Sequence, residues 1–332
     1  MRGLFKFLFC PVVFLVPALS FSWNSTGHMV VAEIAYDNLS PADKIKVNNI
    51  AKALSVENFN SNYRDEGLIS YASFISIAHW PDDIKGQDWL LNNPWHYQDN
   101  GWVAALDAGN VSIPSEFIIK TPNNDVVWAI GNMAGILSQD SKYQSAITRA
   151  RALSYLVHFT GDIHQPLHCS VRVSPDFREG DEGGNDYKIK FDSPITELHG
   201  LWDDAVVLYP EMGYDPEDIN PEDIKKIAKN IELQYPEKKL IKETTPPVRD
   251  SNQTITYWAM DWSNQWCQES FKLAESVVYP DLSPGAGLAK NPVKLEKNYL
   301  INSSKIAEQR LALAGYRLAN LLHVVLNSDF DK

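Results

Sequence analysis

Residues 146–168, AITRARALSYLVHFTGDIHQPLH, carry the strongest structural and chemical signal in the chain. Apolar side chains recur at a helical period from 146 to 161, which predicts one long helix. His158 and Asp162 are four residues apart, so they lie about one turn apart on the same face. The stretch therefore predicts a helix whose carboxyl end presents an imidazole and a carboxylate.

Helical periodicity dominates the flanking sequence as well. Residues 27–39 have apolar side chains at helical spacing, and Ser40-Pro41 is a typical cap followed by a first-turn proline. Further helices are predicted at 68–77, 121–138, 196–208, 221–233, 250–278 and 303–326.

Two segments break the helical pattern. Residues 80–101 are rich in Pro, Asn, Asp and Trp and predict a loop, whereas residues 170–193 contain three glycines. Within the second segment, residues 187–191 alternate like a short strand. The predicted fold class is all-α, a single multi-helix domain with a small β-hairpin insert.

The first 22 residues have the three parts of a secretory signal peptide. Two basic residues precede an apolar run from 7 to 19, and small residues at 20 and 22 precede a predicted cut between Ser22 and Trp23. An uncleaved membrane anchor is the alternative. However, two prolines interrupt the run, and it is short for a bilayer helix of about 20 residues. The sequence therefore predicts a secreted or periplasmic protein with its mature domain at 23–332.

The composition is that of an acidic globular protein. Loss of the first 22 of 332 residues leaves 310, with no linker or repeat, so one domain around one core is predicted. The formal net charge of −12 becomes −14 when the two basic signal-peptide residues leave. An acidic chain binds nucleic acid poorly through non-specific charge, so a phosphate-bearing substrate requires local positive charge, such as bound metal ions. No later segment is long and apolar enough to span a membrane, and no stable membrane association is expected.

Cys169 and Cys267 are the two cysteines of the mature chain. In an oxidising compartment they can form one disulfide bond. They can equally be two separate buried thiols, and the sequence leaves both alternatives open.

Histidine and aspartate recur at spacings typical of a polynuclear metal site. His199 and Asp203, on the next predicted helix, repeat the four-residue spacing of His158 and Asp162. His168 lies between the two pairs. One such pair is more often an ion pair, but two pairs that flank a histidine rarely arise by chance. These residues therefore favour metal binding.

Four further residues are candidate ligands. Asp82 and His96 lie in the Trp-rich segment, where each alone would be an ordinary loop residue. Trp23, at the predicted new amino terminus, offers an amine, and His28 offers an imidazole. Nitrogen and oxygen ligands without thiolate suit zinc in a hydrolytic role, in which clustered ions activate water and hold phosphate oxygens. The sequence therefore predicts a secreted metallohydrolase. His79, His164 and His323 stand outside this set, and structural roles are expected for them.

Several ordered motifs carry a family resemblance: Trp23-x-x-x-Gly27-His28, Trp80-x-Asp82-x-x-Lys85, His96-Tyr97-x-Asp99, His158-Phe159-x-Gly161-Asp162-x-x-Gln165-Pro166-Leu167-His168, Gly183-Gly184-Asn185, Leu198-His199-x-x-Trp202-Asp203 and Ala314-Gly315-x-Arg317-Leu318-Ala319. Together they resemble the zinc-dependent single-strand-specific nucleases of the S-one/P-one type, which are distant relatives of bacterial zinc phospholipase C. The resemblance covers nearly the whole mature chain.

The resemblance implies three zinc ions per chain. Its implied ligand sets are Asp82, His96, His158 and Asp162 for the first ion, His168, His199 and Asp203 for the second, and the Trp23 amine and carbonyl, His28 and a bridging Asp162 for the third.

The resemblance also implies an activity. It implies a phosphodiesterase that cleaves single-stranded DNA and RNA to 5′-phosphorylated products and hydrolyses 3′-mononucleotides. Asp82 is implied to orient the attacking water, and Lys85 is a candidate for stabilising charge. The candidate substrate-binding residues are Tyr97, Asp99 and Asn185.

Two alternatives remain at this stage. A zinc phospholipase C would use the same metal set on a different phosphate ester. A secreted zinc-binding interaction module without catalytic activity is the other alternative.

Overall fold

The computed structural model describes residues 23–56, 73–84, 92–118, 123–139, 141–204 and 220–328. The predicted signal peptide at 1–22 and the candidate Lys85 lie outside these residues. The described part of the chain contains ten α-helices: α1 (Ser25–Asn38), α2 (Pro41–Ala51), α3 (Trp80–Asp83), α4 (Val126–Ser138), α5 (Ala146–Asp162), α6 (Leu198–Asp203), α7 (Pro221–Gln234), α8 (Ile241–Thr244), α9 (Ile255–Leu273) and α10 (Lys297–Asn327). The predicted all-α class is confirmed.

The core lies between the longest helices. α4 packs against both α5 and α9, while α1 packs against α10. α5 is almost entirely buried over its second half, so the polar side chains at its carboxyl end are held inside the protein. Within the described ranges, no helix combines the length and the apolarity needed to cross a membrane.

Side-chain caps start several of these helices where the sequence places them. The Ser40 hydroxyl accepts a hydrogen bond from the Asp43 amide at 3.1 Å, and Pro41 follows it at the first helical position, as predicted. Ser145 caps α5 in the same way. Asp125 caps α4, so this helix begins at Val126 rather than at 121.

The predicted loop at 80–101 is wrong in part. α3 forms at its start because Pro81 occupies the first turn and the Asp82 amide donates to the His79 carbonyl at 3.1 Å. A 3₁₀ turn at Asn93–His96 follows. The predicted helix at 68–77 lies partly outside the described residues, and its described end contains a 3₁₀ turn at Ser76–Ala78.

The strands form two short parallel pairs. β1 (Gly101–Val103) pairs with β2 (Val171–Val173), and β3 (Ile189–Lys190) pairs with β4 (Val293–Lys294). The predicted strand at 187–191 therefore exists, but its pairing differs from the predicted hairpin. The hairpin is reduced to one antiparallel bridge between residues 188 and 197, because β3 takes its main partner from a distant part of the chain.

A disulfide bond joins Cys169 to Cys267 across 98 residues of sequence. Their Cα atoms are 5.5 Å apart, and both side chains are fully buried. The bond decides between the two alternatives that the sequence left open. It ties the segment that follows α5 to the middle of α9.

Cys267→Ala is expected to lower the free energy of unfolding by about 2–5 kcal/mol, because the bond restricts the unfolded chain across a long loop. Thermal unfolding of both proteins, with and without a reducing agent, measures this effect. Most of the difference should disappear in reducing buffer, where neither protein has the bond. Equal unfolding temperatures in oxidising buffer would contradict the prediction.

Candidate metal centre

Three groups of histidine and aspartate side chains meet around the carboxyl end of α5. Within each group, the candidate ligand atoms all lie within 4.8 Å of one another. The groups are His28, Asp82 and His158; His96, His158 and Asp162; and His168, His199 and Asp203. The structure thus brings together every side chain that the sequence analysis gave as a candidate metal ligand.

Asp162 lies at the centre of this arrangement and is fully buried. Its Oδ1 atom is 3.3 Å from His28 Nε2. Its Oδ2 atom is 2.9 Å from His96 Nδ1 and 3.3 Å from His158 Nε2. The two oxygens of this carboxylate therefore face different imidazoles, which is the geometry of a bridging ligand.

Asp82, on α3, lies close to two of the same imidazoles, those of His158 and His28. Its Oδ1 atom is 3.5 Å from His158 Nε2, and its Oδ2 atom is 4.0 Å from His28 Nε2. The side chain is 12% exposed, whereas that of Asp162 is fully buried. Asp82 is therefore the carboxylate on the solvent side of the group.

The third group lies on the segment after α5 and on α6. Asp203 Oδ2 is 3.3 Å from His199 Nε2, and Asp203 Oδ1 is 3.7 Å from His168 Nε2. Gln165 Nε2 donates a hydrogen bond to Asp203 Oδ1 at 2.8 Å. The sequence analysis named Gln165 only as part of a motif and gave it no role. Its position three residues before His168 could have indicated that it lies beside the metal ligands.

Backbone carbonyl groups fix the orientation of three of these imidazoles. Because a carbonyl oxygen can only accept a hydrogen bond, each Nδ1 donates it, and the opposite Nε2 faces the cluster. The pairs are His158 with the Ala78 carbonyl at 2.8 Å, His168 with that of His96 at 2.8 Å, and His199 with that of Gly183 at 2.7 Å.

These distances fit a divalent metal ion. Ligands about 2.0–2.2 Å from a tetrahedral zinc are separated from one another by about 3.3–3.6 Å. The spacings given above run from 2.9 to 4.0 Å and scatter around that value. The buried Nε2 of His168 lies 3.7 Å from Asp203 Oδ1, which is longer than an ordinary hydrogen bond. The donor set could therefore hold metal ions.

The pKa shifts reflect strong interactions among the buried imidazoles and carboxylates of the cluster. Burial and the neighbouring His158 lower the pKa of His28 to about 4. Burial opposes protonation of His158 too, but Asp162 and Asp82 raise its pKa to about 10. Burial works against ionisation of Asp162, yet His158 and the other imidazoles hold the pKa of this carboxyl well below its usual range. A cation between these groups would neutralise the same carboxylates.

The amino-terminal residues of the described chain pack directly against the cluster. The buried Trp23 indole donates to the Gly161 carbonyl at 2.8 Å, and the Asn24 amide donates to the Asp203 carbonyl at 2.9 Å. A side chain at position 161 would place its Cβ 2.8 Å from His28 Nδ1. Gly161 therefore allows α1 to bring His28 against α5.

A cavity of about 260 Å³ adjoins this metal centre. Tyr97, Asp99 and Asn185, the three predicted substrate-binding residues, all line it, and His199 forms part of its wall. Burial, followed by the charge of Asp181, raises the pKa of Asp99 to about 7. Burial also raises the pKa of Tyr97 to about 12, with a smaller contribution from Asp99.

The sequence analysis missed other residues of this cavity, among them Phe117, Glu179 and Glu182. Phe117 lies far from the motifs along the chain, and no local pattern marks it. Glu182 does have a signal, because it directly precedes the Gly-Gly pair of a quoted motif.

The three histidines outside the predicted ligand set make other contacts. His79 Nδ1 is 2.6 Å from Asp83 Oδ2, and His323 Nδ1 is 2.8 Å from Asp43 Oδ2. His164 Nε2 accepts a hydrogen bond from Arg317 at 2.9 Å in the core. None of the three belongs to the metal groups found among the described residues.

Comparisons with known proteins agree with this geometry. The sequence model of the family described as S1/P1 nuclease matches residues 23–327. Endonuclease 4 of Arabidopsis thaliana is 28% identical, with 92% of this chain and 90% of that protein aligned. Nuclease S1 of Aspergillus oryzae is also 28% identical, over 92% of this chain and 93% of its own. Nuclease P1 of Penicillium citrinum is 27% identical, over 93% of this chain and 100% of its own.

Proposed function

Because the chain belongs to the S1/P1 nuclease family, we propose that it is a secreted, zinc-dependent phosphodiesterase that cleaves single-stranded DNA and RNA. Its products carry 5′-phosphates, and 3′-mononucleotides are hydrolysed at the same site. One observation carries the proposal: the buried histidine and aspartate groups adjoin a cavity of about 260 Å³ with aromatic and carboxylate walls.

The proposal assigns three zinc ions to three ligand sets: Asp82, His96, His158 and Asp162; His168, His199 and Asp203; and the Trp23 amine and carbonyl, His28 and Asp162, which is shared with the first set. The bridging position of Asp162, whose two oxygens face different imidazoles, supports two ions on either side of it. The His168 group supports the remaining ion. When bound, the ions activate water and neutralise charge on the phosphate. The proposed ligands are Trp23, His28, Asp82, His96, His158, Asp162, His168, His199 and Asp203.

Two parts of the protein act on the substrate in this proposal. Asp82, the partly exposed carboxylate of the centre, orients the attacking water and accepts its proton. Tyr97 stacks against a base in the adjoining cavity, while Asp99 accepts hydrogen bonds from that base. Lys85, which lies outside the described residues, remains a candidate for stabilising phosphate charge.

Preference for single strands follows from this arrangement. A base can enter the cavity and stack on Tyr97 only if it is unpaired and turned out of the helix. A cavity of about 260 Å³ is close to the lower limit of small-molecule pockets, about 300 Å³. It therefore suits a single base rather than a duplex.

Removal of the first 22 residues completes the proposed site. Cleavage between Ser22 and Trp23 converts the Trp23 nitrogen from an amide into an amine, which is a metal ligand. The contacts of residues 23 and 24 with Gly161 and Asp203 support this position for the new terminus. The signal peptide that this cleavage removes is the basis for the proposed export.

We expect the mature protein to cleave a single-stranded oligonucleotide at least 100-fold faster than its duplex form, because the bases of a duplex cannot enter the cavity. The assay measures initial rates on matched DNA and RNA strands and identifies the phosphorylated end. Chelation should abolish cleavage, and zinc should restore it. Asp82→Asn is the inactive control.

The alternatives predict different outcomes. Hydrolysis of phosphatidylcholine without cleavage of nucleic acid would favour a phospholipase. A preparation that holds zinc but hydrolyses neither ester would favour an interaction module.

A further inference from the structure

A run of three residues beside the metal centre adopts the left-handed backbone conformation. The φ angles are 50° at Glu182, 59° at Gly183 and 86° at Gly184. Glycine adopts this conformation without penalty, whereas a residue with a Cβ atom does so at a cost in free energy. Glu182 is therefore the strained member of the run, and strained residues of this kind concentrate at functional sites.

Packing around Gly183 explains why the loop takes this conformation. Its carbonyl accepts the hydrogen bond that orients His199, and a Cβ atom at this position would lie 2.9 Å from the Leu167 carbonyl oxygen. These contacts with His199 and Leu167 thus determine the backbone conformation of the loop. This conformation does not depend on the Glu182 side chain, and glycine at position 182 would adopt it with less strain.

Glu182 lines the substrate cavity, together with Asp99 and Glu179. Among the described residues that line this cavity there is no lysine or arginine. Burial raises the pKa of Glu182, and the charge of Glu182 contributes to the raised pKa of Asp99. Carboxylates accept hydrogen bonds and cannot donate them when ionised. A group that offers hydrogen-bond donors therefore suits the part of the cavity that Asp99 and Glu182 line.

Nucleobases differ sharply in the donors that they present. Guanine has two adjacent donors, a ring N–H and an amino group, which match the two oxygens of one carboxylate. Adenine and cytosine have one amino group beside an acceptor. Uracil and thymine have one ring N–H between two carbonyl groups, and these carbonyls would face the carboxylates unfavourably.

We propose that Glu182 determines base specificity: with Asp99 it makes the cavity select bases that carry amino groups, with guanine preferred most and uracil or thymine least. The inference rests on the proposed nuclease function, because it assigns the cavity to the base upstream of the cleaved bond. It adds a residue and a rank order to that function.

The test uses the dinucleotides GpU and UpU, which differ only in the upstream base. For the zinc-loaded protein, we expect kcat/KM to be at least about tenfold higher for GpU, the range that one bidentate base contact gives. Glu182→Gln should lower this ratio at least about threefold, mainly through a lower kcat/KM for GpU. Asp186→Asn removes a nearby carboxylate that does not line the cavity, and it should keep the ratio.

A second variant separates specificity from folding. Glu182→Gly should lower the GpU/UpU ratio as Glu182→Gln does, while its unfolding temperature should rise because the left-handed strain is relieved. A ratio near one for the unmodified protein, or an unchanged ratio in Glu182→Gln, would overturn the inference and leave the nuclease proposal intact.

A binding measurement covers the case in which the protein cleaves no nucleic acid. Deoxyguanosine and thymidine are not substrates, so their dissociation constants report on the cavity alone. Tighter binding of deoxyguanosine that is lost in Glu182→Gln would support the inference even if the nuclease proposal fails. Equal binding of both nucleosides would count against it.

Discussion

Asp162→Ala is expected to lose more bound metal than Asp203→Ala and to lower kcat/KM on single-stranded DNA by on the order of 10³-fold or more. The reason is that the two Asp162 oxygens face three imidazoles in two ligand groups, whereas Asp203 faces the two imidazoles of one group. Metal analysis of the purified variants measures the loss directly. We expect at least two ions to be lost from Asp162→Ala and one from Asp203→Ala.

The control for this experiment is Asp186→Asn, which removes a carboxylate outside the three ligand groups and should keep full metal content. Thermal unfolding after addition of excess zinc checks that each variant is folded. Equal metal loss from the two aspartate variants would mean that Asp162 does not bridge.

A mature protein that retains one extra residue before Trp23 is expected to hold one metal ion fewer and to lose on the order of 10²-fold in activity. The extra residue turns the Trp23 amine into an amide, which is not a metal ligand. Trp23 cannot move to compensate, because its buried indole is bonded to the Gly161 carbonyl and the next amide is bonded to Asp203. Metal content and kcat/KM of the two forms, prepared in parallel, provide the measurement.

Enzymatic removal of the extra residue provides the matched control and should restore both quantities. If the extended form keeps its full metal content and activity, the amine is not a ligand and the proposed third ion lacks its terminal donor.

The sequence predicted the parts of the site that depend on local spacing. His158 and Asp162 share one face of α5 because a helix places residues four apart on the same side, and the pair on α6 follows the same rule. Ser40 and Pro41 predicted the start of α2 because the cap and the first-turn proline act within a few residues.

Features that depend on backbone groups far away in the sequence were not predictable from local spacing. The carbonyls of Ala78 and Gly183 orient His158 and His199, and carbonyl groups carry no residue-specific signal. Phe117 reaches the cavity only because the chain folds back. The parallel pairing of β3 was missed for the same reason, since its partner follows about a hundred residues later.

The disulfide bond between Cys169 and Cys267 has a consequence for the cell that makes the protein. Cys169 immediately follows His168, so the bond to Cys267 braces the backbone beside one proposed zinc ligand. The cytosol keeps thiols reduced, and on the proposed export route the leader is still attached there. A newly made chain therefore lacks both the brace and the free terminal amine. Under the proposed function, nuclease activity is then complete only after export and cleavage of the leader, so the RNA of the producing cell is protected from it.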